Sequence, residues 1–392
     1  DDRWVEIVPG SPAILTDERL VVCADRDGAR RLLVGGDPVT PHDLQVRAIV
    51  GVDGDRVYFT ANPVADATVL HVWSWDDESG ATAIADADGV HSAAVGGGTV
   101  VLRSAELDTP GARYCVVDGP ELESLAEVPL VEPLVQITHV PTRRLATALL
   151  LPADHDGSPL PVLLDPYGGP HAQRVVRAHN AFLTSQWFAE QGFAVVVIDG
   201  RGTPGRGTEF ERAVHGDLAT PVLDDQIAAL HDLASDHPEL DLSKVAIRGW
   251  SFGGYLAALA VLARPDVFHA AVAGAPVTEW RLYDTHYTER YLGDPAEQAA
   301  AYDASSLLPL APDLTRPLLL VHGLADDNVV AAHTLQLSSA LLAAGRPHDV
   351  LPLVGVTHMT SQEVVAENLL LHQLAFLRRA LALDGATAER LG

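Results

Sequence analysis

Three residue types that together make an activated hydroxyl nucleophile occur in this chain in the order Ser251, Asp326, His358. A serine hydroxyl attacks poorly until an imidazole takes its proton. The imidazole in turn needs a buried carboxylate to fix its tautomer and stabilise the imidazolium. Ser251 lies in Gly249-Trp250-Ser251-Phe252-Gly253-Gly254, a Gly-x-Ser-x-Gly pattern that reads as a nucleophile elbow. The bare pattern recurs by chance, so its context decides. Lys244 to Gly249 is a short apolar strand ending in glycine, and Tyr255 to Ala263 is a strong helix former. A strand that turns sharply into a helix leaves little room beside the serine, hence the flanking glycines, and aims the hydroxyl outward.

The partners follow in the order an α/β-hydrolase requires, Ser then Asp then His. Pro317 to Gly323 is an unbroken apolar run, the pattern of a buried parallel strand, and it opens into Leu324-Ala325-Asp326-Asp327-Asn328-Val329. A carboxylate just past a strand's C-terminal end is where α/β folds put their sites. A second strand, Val350 to Val354, leads into Gly355-Val356-Thr357-His358, and a helix is expected from about Ser361 to Leu381. Taken alone, His358 reads as a structural or surface histidine, one of 17, and Asp326 as a strand-end turn residue. Order and strand context together make them a triad with Ser251.

A chain of 392 residues suits about two domains, and either could bury a full core. Hydrophobic content of 47% with 20% charge is that of a globular chain. From about Leu130 apolar strands alternate with helices. A hairpin is expected from Val135–Val140 and Arg144–Leu151, strands at Pro161–Leu164 and Phe193–Ile198, and helices near Ala181–Gln191 and Val222–Ser235. This alternation predicts an α/β-hydrolase fold, a mainly parallel doubly wound sheet, over residues 131–392.

Residues 1–130 lack helical periodicity and predict an all-β region. Leu20–Ala24, Arg56–Thr60 and Thr99–Arg103 recur at a spacing of about 40 residues, each followed by a second strand at Arg31–Val34, Val69–Trp73 and Arg113–Val117. Strand pairs at this period suggest about three blades of a β-propeller, with a plain antiparallel sheet or sandwich as the alternative. Three blades are fewer than a closed propeller needs, and open strand edges are expected to be covered. The first residue is Asp rather than Met. The expectation is therefore that a missing propeller fragment completes the region, either in a longer chain or as a partner.

A formal net charge of −27 argues against nucleic acid as a partner, because phosphates would be repelled. The same acidity favours cationic substrates such as peptides with a free amino terminus. No apolar run is long and unbroken enough to suggest a membrane span, and no signal-peptide pattern opens the chain, so a cytoplasmic location is expected. With only Cys23 and Cys115, and no HExxH, neither a disulfide framework nor a metal site is expected, and no cofactor.

With these residues in view, the chain resembles the prolyl oligopeptidase family of serine peptidases, most closely its dipeptidyl peptidase IV branch. The resemblance covers about residues 130–385. It is carried by Asp165-Pro166-Tyr167-Gly168-Gly169-Pro170, Asp199-Gly200-Arg201-Gly202-Thr203, the Ser251 elbow, Tyr287-Thr288-Glu289-Arg290-Tyr291, and the stretch from His322 to Val329. The Tyr-Thr-Glu-Arg-Tyr and Asp-Asp-Asn-Val strings are specific to that branch; general esterases lack them.

What the resemblance implies is a nucleophile at Ser251, an orienting acid at Asp326 in preference to Asp327, and a base at His358. It implies an oxyanion hole from the Tyr167 hydroxyl and the Phe252 backbone N–H. Two fixed donors there answer a chemical need that is independent of the family, since attack on a carbonyl develops an oxyanion. The alternative for Tyr167 is ordinary loop packing. Phe252, Val277, Trp280, Tyr283, Tyr287 and Val329 match a hydrophobic pocket that in the family holds a proline ring, and Asn328 matches a residue that binds a substrate carbonyl. The plain alternative for these aromatics is core packing.

Phe252 replaces the family's usual tyrosine, which keeps the backbone donor and loses a hydroxyl. The dipeptidyl peptidases hold the substrate's amino group with paired glutamates from the propeller side, and the chain has no Glu-Glu pair and no identifiable arginine partner for the substrate backbone. The expected activity is hydrolysis of peptides after proline, or alanine, with release of N-terminal dipeptides through an acyl-enzyme. The alternative is an acylaminoacyl peptidase or esterase using the same triad. The expected partners are a peptide substrate and, as the family implies, a second copy in a homodimer.

Overall fold

The computed structural model describes residues 3–383. The chain forms two compact units. The first comprises Asp1–Pro133 with Val175–Thr184 and Gly202–Ala213, and the second comprises Leu134–Arg174, Ser185–Arg201 and Val214–Gly392.

The first unit is built from three four-stranded antiparallel sheets, the blades of a partial propeller. One contains β1 (Ala13–Ile14), β2 (Leu20–Arg26), β3 (Ala29–Val34) and β4 (Asp37–Pro38); the next β5 (Leu44–Asp53), β6 (Arg56–Pro63), β7 (His71–Asp76) and β8 (Gly80–Ala85). The third contains β9 (Val90–Gly96), β10 (Thr99–Ala105), β11 (Arg113–Val116) and β12 (Glu121–Leu122). Each expected strand pair lies within one sheet, so the period of about 40 residues is a blade period. Asp27 and Gly28, both at positive φ (54° and 84°), make the two-residue loop between β2 and β3. Such a loop matches the right-handed twist of the strands it joins. Leu15, Val21, Leu32, Val46, Val57, Phe59 and Trp75 share one core between the first two sheets. Of the six outermost strands, β1, β4 and β12 are only two residues long, which leaves little edge for unwanted pairing at those three positions.

Two later segments fold into this unit, and no hydropathy pattern announces them. Arg30 donates to Glu211 at 2.7 Å, Gln45 to the same carboxylate at 3.2 Å, and the Asn62 amide to the Gly205 carbonyl at 2.8 Å. The Arg177 amide meets the Thr68 carbonyl at 2.8 Å, and the His179 amide meets the Glu106 carbonyl at 2.8 Å.

The second unit is an α/β-hydrolase fold around one eight-stranded sheet. Its strands are β13 (Val135–Val140), β14 (Leu145–Leu150), β15 (Leu160–Leu164), β16 (Ala194–Asp199), β17 (Leu240–Trp250), β18 (Ala270–Gly274), β19 (Leu318–Gly323) and β20 (Asp349–Leu353). They lie in the order β13-β14-β16-β15-β17-β18-β19-β20. The first two pairings are antiparallel and the rest parallel. Every residue of β14, β16, β18 and β19 is buried, as the unbroken apolar runs require of strands covered on both faces.

The helices, in chain order, are α1 (Leu183–Glu190), α2 (Thr208–Arg212), α3 (Thr220–Asp236), α4 (Phe252–Ala263), α5 (Thr285–Leu292), α6 (Ala299–Ser305), α7 (Ala332–Ala343) and α8 (Glu363–Ala380). Of these α2 belongs to the first unit. Helix α4 is apolar all round and buried over Phe252–Leu262, so it is a central helix rather than a surface one. By contrast α8 buries one stripe, with Leu369, Gln373, Leu374, Phe376 and Leu377. No helix among the described residues is long and apolar enough to cross a membrane.

This topology sets the site. Strands β15, β17, β18, β19 and β20 are successive parallel neighbours, so the loops that leave their C-terminal ends gather along one sheet edge. Tyr167, Ser251, Asp326 and His358 all stand in those loops.

Candidate active site

Ser251 occupies the junction between β17 and α4 with φ 59° and ψ −119°. A non-glycine residue in that region carries about 1–3 kcal/mol of backbone strain, which persists only where the surroundings dictate it. They do so here. The Ser251 amide donates to the Gly274 carbonyl at 2.8 Å, and its carbonyl accepts from the Tyr255 amide at 2.9 Å. A Cβ on Gly249 would strike the Gly253 backbone, and one on Gly253 would strike the Pro166 carbonyl. The elbow glycines are therefore required by close approach.

Asp326 is buried and Asp327 is exposed, which separates the two adjacent carboxylates. Asp326 Oδ1 accepts the amides of Asn328 (3.0 Å) and Val329 (2.9 Å). Its Oδ2 lies 2.8 Å from His358 Nδ1, so that nitrogen carries a proton and Nε2 is left as the acceptor of the ring. Trp250, next to Ser251, donates its indole N–H to the His358 carbonyl at 2.8 Å and pins the His358 loop beside the elbow. The Ser251 hydroxyl is not hydrogen-bonded to the His358 ring. Such bonds are commonly long before substrate engages and tighten in the complex.

The Phe252 amide, at the first position of α4, has no intrahelical acceptor and belongs to the donor-rich helix N-terminus. Tyr167 packs its ring against Phe252 with centroids 5.8 Å apart. Burial foremost, reinforced by the Tyr283 phenol and opposed by that of Tyr287, pushes the Tyr167 hydroxyl up to about 12. It therefore stays protonated, and able to donate, throughout the working pH range. The buried Tyr287 hydroxyl faces that of Tyr167, and burial foremost, with the Tyr167 phenol, pushes it well above the ordinary tyrosine range.

Tyr167→Phe is expected to lower kcat by roughly 10²–10³-fold, the usual loss for one oxyanion donor, with KM unchanged. Steady-state kinetics on one chromogenic peptide checks this. A raised KM at constant kcat would instead make Tyr167 a substrate-binding residue.

The remaining expected residues form one aromatic cluster. Trp280 and Tyr287 lie nearly parallel (8°) with centroids 6.1 Å apart, and Tyr283 stands edge-on to both at 6.1 and 5.3 Å. Phe252 adds a fourth ring 5.8 Å from Trp280. Val277 and Val329 are buried, as is Trp280. Asn328 is exposed, and its Oδ1 accepts the Tyr283 hydroxyl at 3.1 Å, which leaves its Nδ2 donors for another acceptor. Trp280 is core as well as wall. Truncating so buried a ring costs about 3–5 kcal/mol, so substrates test this box better than alanines do.

Sequence reasoning missed the supports. Asp165, buried at the end of β15, accepts from Arg248 (2.8 Å), Arg174 (3.2 Å) and Ser185 (2.8 Å), fixing the strand end two residues before Tyr167. Trp250 was visible only as the variable residue inside the elbow pattern. Neither role has a periodic signal, because the contacts join distant parts of the chain. Among the described residues no group of three His, Cys, Asp or Glu side chains could hold a metal ion.

A family model described as the prolyl oligopeptidase family matches residues 179–384. Dipeptidyl peptidase 8 of Mus musculus is 41% identical over 233 residues, 57% of this chain and 26% of that protein. Dipeptidyl peptidase 4 of Sus scrofa is 29% identical over 277 residues, 67% of this chain and 36% of that protein. The crystal structure of Porphyromonas gingivalis dipeptidyl peptidase 4 aligns with a TM-score of 0.85 at 26% identity, over 94% of this chain and 55% of that one. The chain thus spans between about a quarter and a third of the curated relatives it matches.

Proposed function

As this chain belongs to the prolyl oligopeptidase family, we propose that it hydrolyses peptides after proline, and less well after alanine, releasing N-terminal dipeptides. Ser251 attacks the carbonyl while His358 Nε2 takes its proton, and Asp326 holds the imidazole and stabilises its charged form. The Tyr167 hydroxyl and the Phe252 amide receive the developing oxyanion. His358 then returns the proton to the leaving amine, and water repeats the sequence on the acyl-enzyme.

The observation that carries this reading is the 2.8 Å bond between His358 and Asp326 at the sheet edge that presents the strained Ser251. Specificity rests on the box of Trp280, Tyr283, Tyr287, Val277 and Val329. A proline ring is compact and apolar and has no N–H to satisfy, so it fits such a box without leaving a polar group unpaired. Removal of dipeptides is supported by the names of the relatives.

The test is a series of chromogenic dipeptides ending in Pro, Ala, Leu and Arg, each with a free and an acetylated amino terminus. Pro is expected to exceed Ala in kcat/KM by roughly 10–200-fold, the range for a small apolar misfit. A preference for Leu or Arg would refute the pocket assignment. Faster cleavage of the acetylated series would favour the acylaminoacyl peptidase reading over dipeptide release.

A further inference from the structure

Behind Asp326 stands a second imidazole that acyl transfer, as described, does not use. His322, in β19, is 1% exposed. Its Nε2 lies 2.7 Å from the Val329 carbonyl and its Nδ1 2.7 Å from the Thr334 hydroxyl. A carbonyl only accepts, so Nε2 carries the proton and Nδ1 accepts from Thr334; the tautomer is fixed by its surroundings. Burial, opposed by the Val329 carbonyl and the Asp326 carboxylate, holds the His322 ring below the ordinary histidine range, so it is neutral at neutral pH. The same Nε2 is 3.5 Å from Asp326 Oδ2, the oxygen that also meets His358.

The residue preceding Thr334 extends the connection. His333, fully buried, accepts the Thr278 amide at Nδ1 (3.2 Å), while its carbonyl accepts the Thr278 hydroxyl (2.7 Å). Thr278 follows Val277 in the wall of the aromatic box. One buried path therefore runs from the box wall by hydrogen bonds to His333, along the chain to Thr334, and by hydrogen bonds through His322 to Val329, with Asp326 Oδ2 beside it at 3.5 Å.

We infer that His322 is a positioning residue: held in one tautomer by the Val329 carbonyl and in one orientation by Thr334, it clamps that carbonyl and faces Asp326, so that one imidazole sets both the carboxylate that orients His358 and the apolar wall at Val329. This rests on the proposed function, because it assigns Asp326 and Val329 the roles given there. Its consequence is that fit in the box and orientation of the base are mechanically joined. A displacement of about 1 Å at such a site costs on the order of 10²-fold in rate.

The experiment compares Thr334→Val, Thr334→Ser, His322→Gln and His322→Phe in the full chain, with folded fraction read by circular dichroism. Thr334→Val keeps the side-chain shape and removes the hydroxyl that donates to His322 Nδ1 and holds the ring in place. It is expected to lower kcat/KM on a proline dipeptide by about tenfold and to narrow the Pro-over-Ala ratio, with Thr334→Ser restoring both. His322→Phe is expected to lose about 10²-fold. His322→Gln, whose amide can still donate to the Val329 carbonyl, should recover part of that loss.

Unchanged kcat/KM and Pro-over-Ala ratio in Thr334→Val would overturn the inference. So would equal losses in His322→Gln and His322→Phe that merely track the folded fraction. Fluorophosphonate labelling of Ser251 separates this from the underlying reading. A wild-type chain that labels but cleaves no peptide defeats the proline-peptidase assignment, and the labelling rates of the same variants then judge His322. A wild-type chain that does not label defeats both.

Discussion

Ser251→Ala is expected to lower kcat by about 10⁶-fold on a proline-ending dipeptide substrate, the loss seen when one member of a triad that acts as a unit is removed. The substitution isolates chemistry from structure. Alanine has the same Cβ as serine, so the backbone at φ 59° and ψ −119° is no more strained than before, and the two backbone hydrogen bonds to Gly274 and Tyr255 remain. The fold and the oxyanion donors at Tyr167 and Phe252 persist, which leaves a residual rate above that in water by roughly 10³–10⁴-fold. The measurement is kcat together with labelling by a fluorophosphonate, which should vanish. Near-normal turnover in this variant would remove the whole mechanism, whatever the other residues do.

Why the elbow that holds the proposed nucleophile was legible in the sequence follows from its physics. An elbow is local: an apolar strand, a tight turn that excludes side chains, and an apolar helix, all within about twenty residues. Asp326 and His358 were legible for a related reason, since each follows an apolar run that reads as a strand, and parallel strands bring their ends to one edge. The blades were legible because each repeats the same strand pair.

What was illegible depends on contacts between distant residues. Glu211 serves Arg30 and Gln45, which lie 181 and 166 positions away, and nothing periodic in Gly202–Ala213 announces that it joins the first unit. Strand β18, Ala270–Gly274, consists of alanine, valine and glycine, mostly poor strand formers. Its composition follows from its neighbours: a Cβ at Gly274 would strike the Trp250 ring, and one at Gly254 would strike the Gly274 carbonyl. Packing, not propensity, selects those residues. The same holds for the indole of Trp250, whose partner His358 is 108 positions away.

Asp326→Asn should reduce kcat by about 10⁴-fold while leaving the fold intact. The argument is one of hydrogen direction. The Oδ1 position accepts two backbone amides, from Asn328 and Val329. An asparagine placed there keeps both bonds only if its carbonyl oxygen takes that position. Its NH₂ group must then face His358 Nδ1. Two donors cannot share one hydrogen bond, so Nδ1 gives up its proton and Nε2 takes it. An imidazole protonated at Nε2 cannot accept the Ser251 proton, and no carboxylate charge remains to stabilise the imidazolium. The reversed amide would restore the His358 tautomer but set NH₂ against two backbone N–H groups, which is worse, since it leaves buried donors unsatisfied. The variant should therefore unfold at nearly the wild-type temperature yet label with fluorophosphonate far more slowly, and kcat should fall with little change in KM. Activity within tenfold of wild type would mean that another carboxylate orients His358, and the exposed neighbour Asp327 would then be the residue to replace.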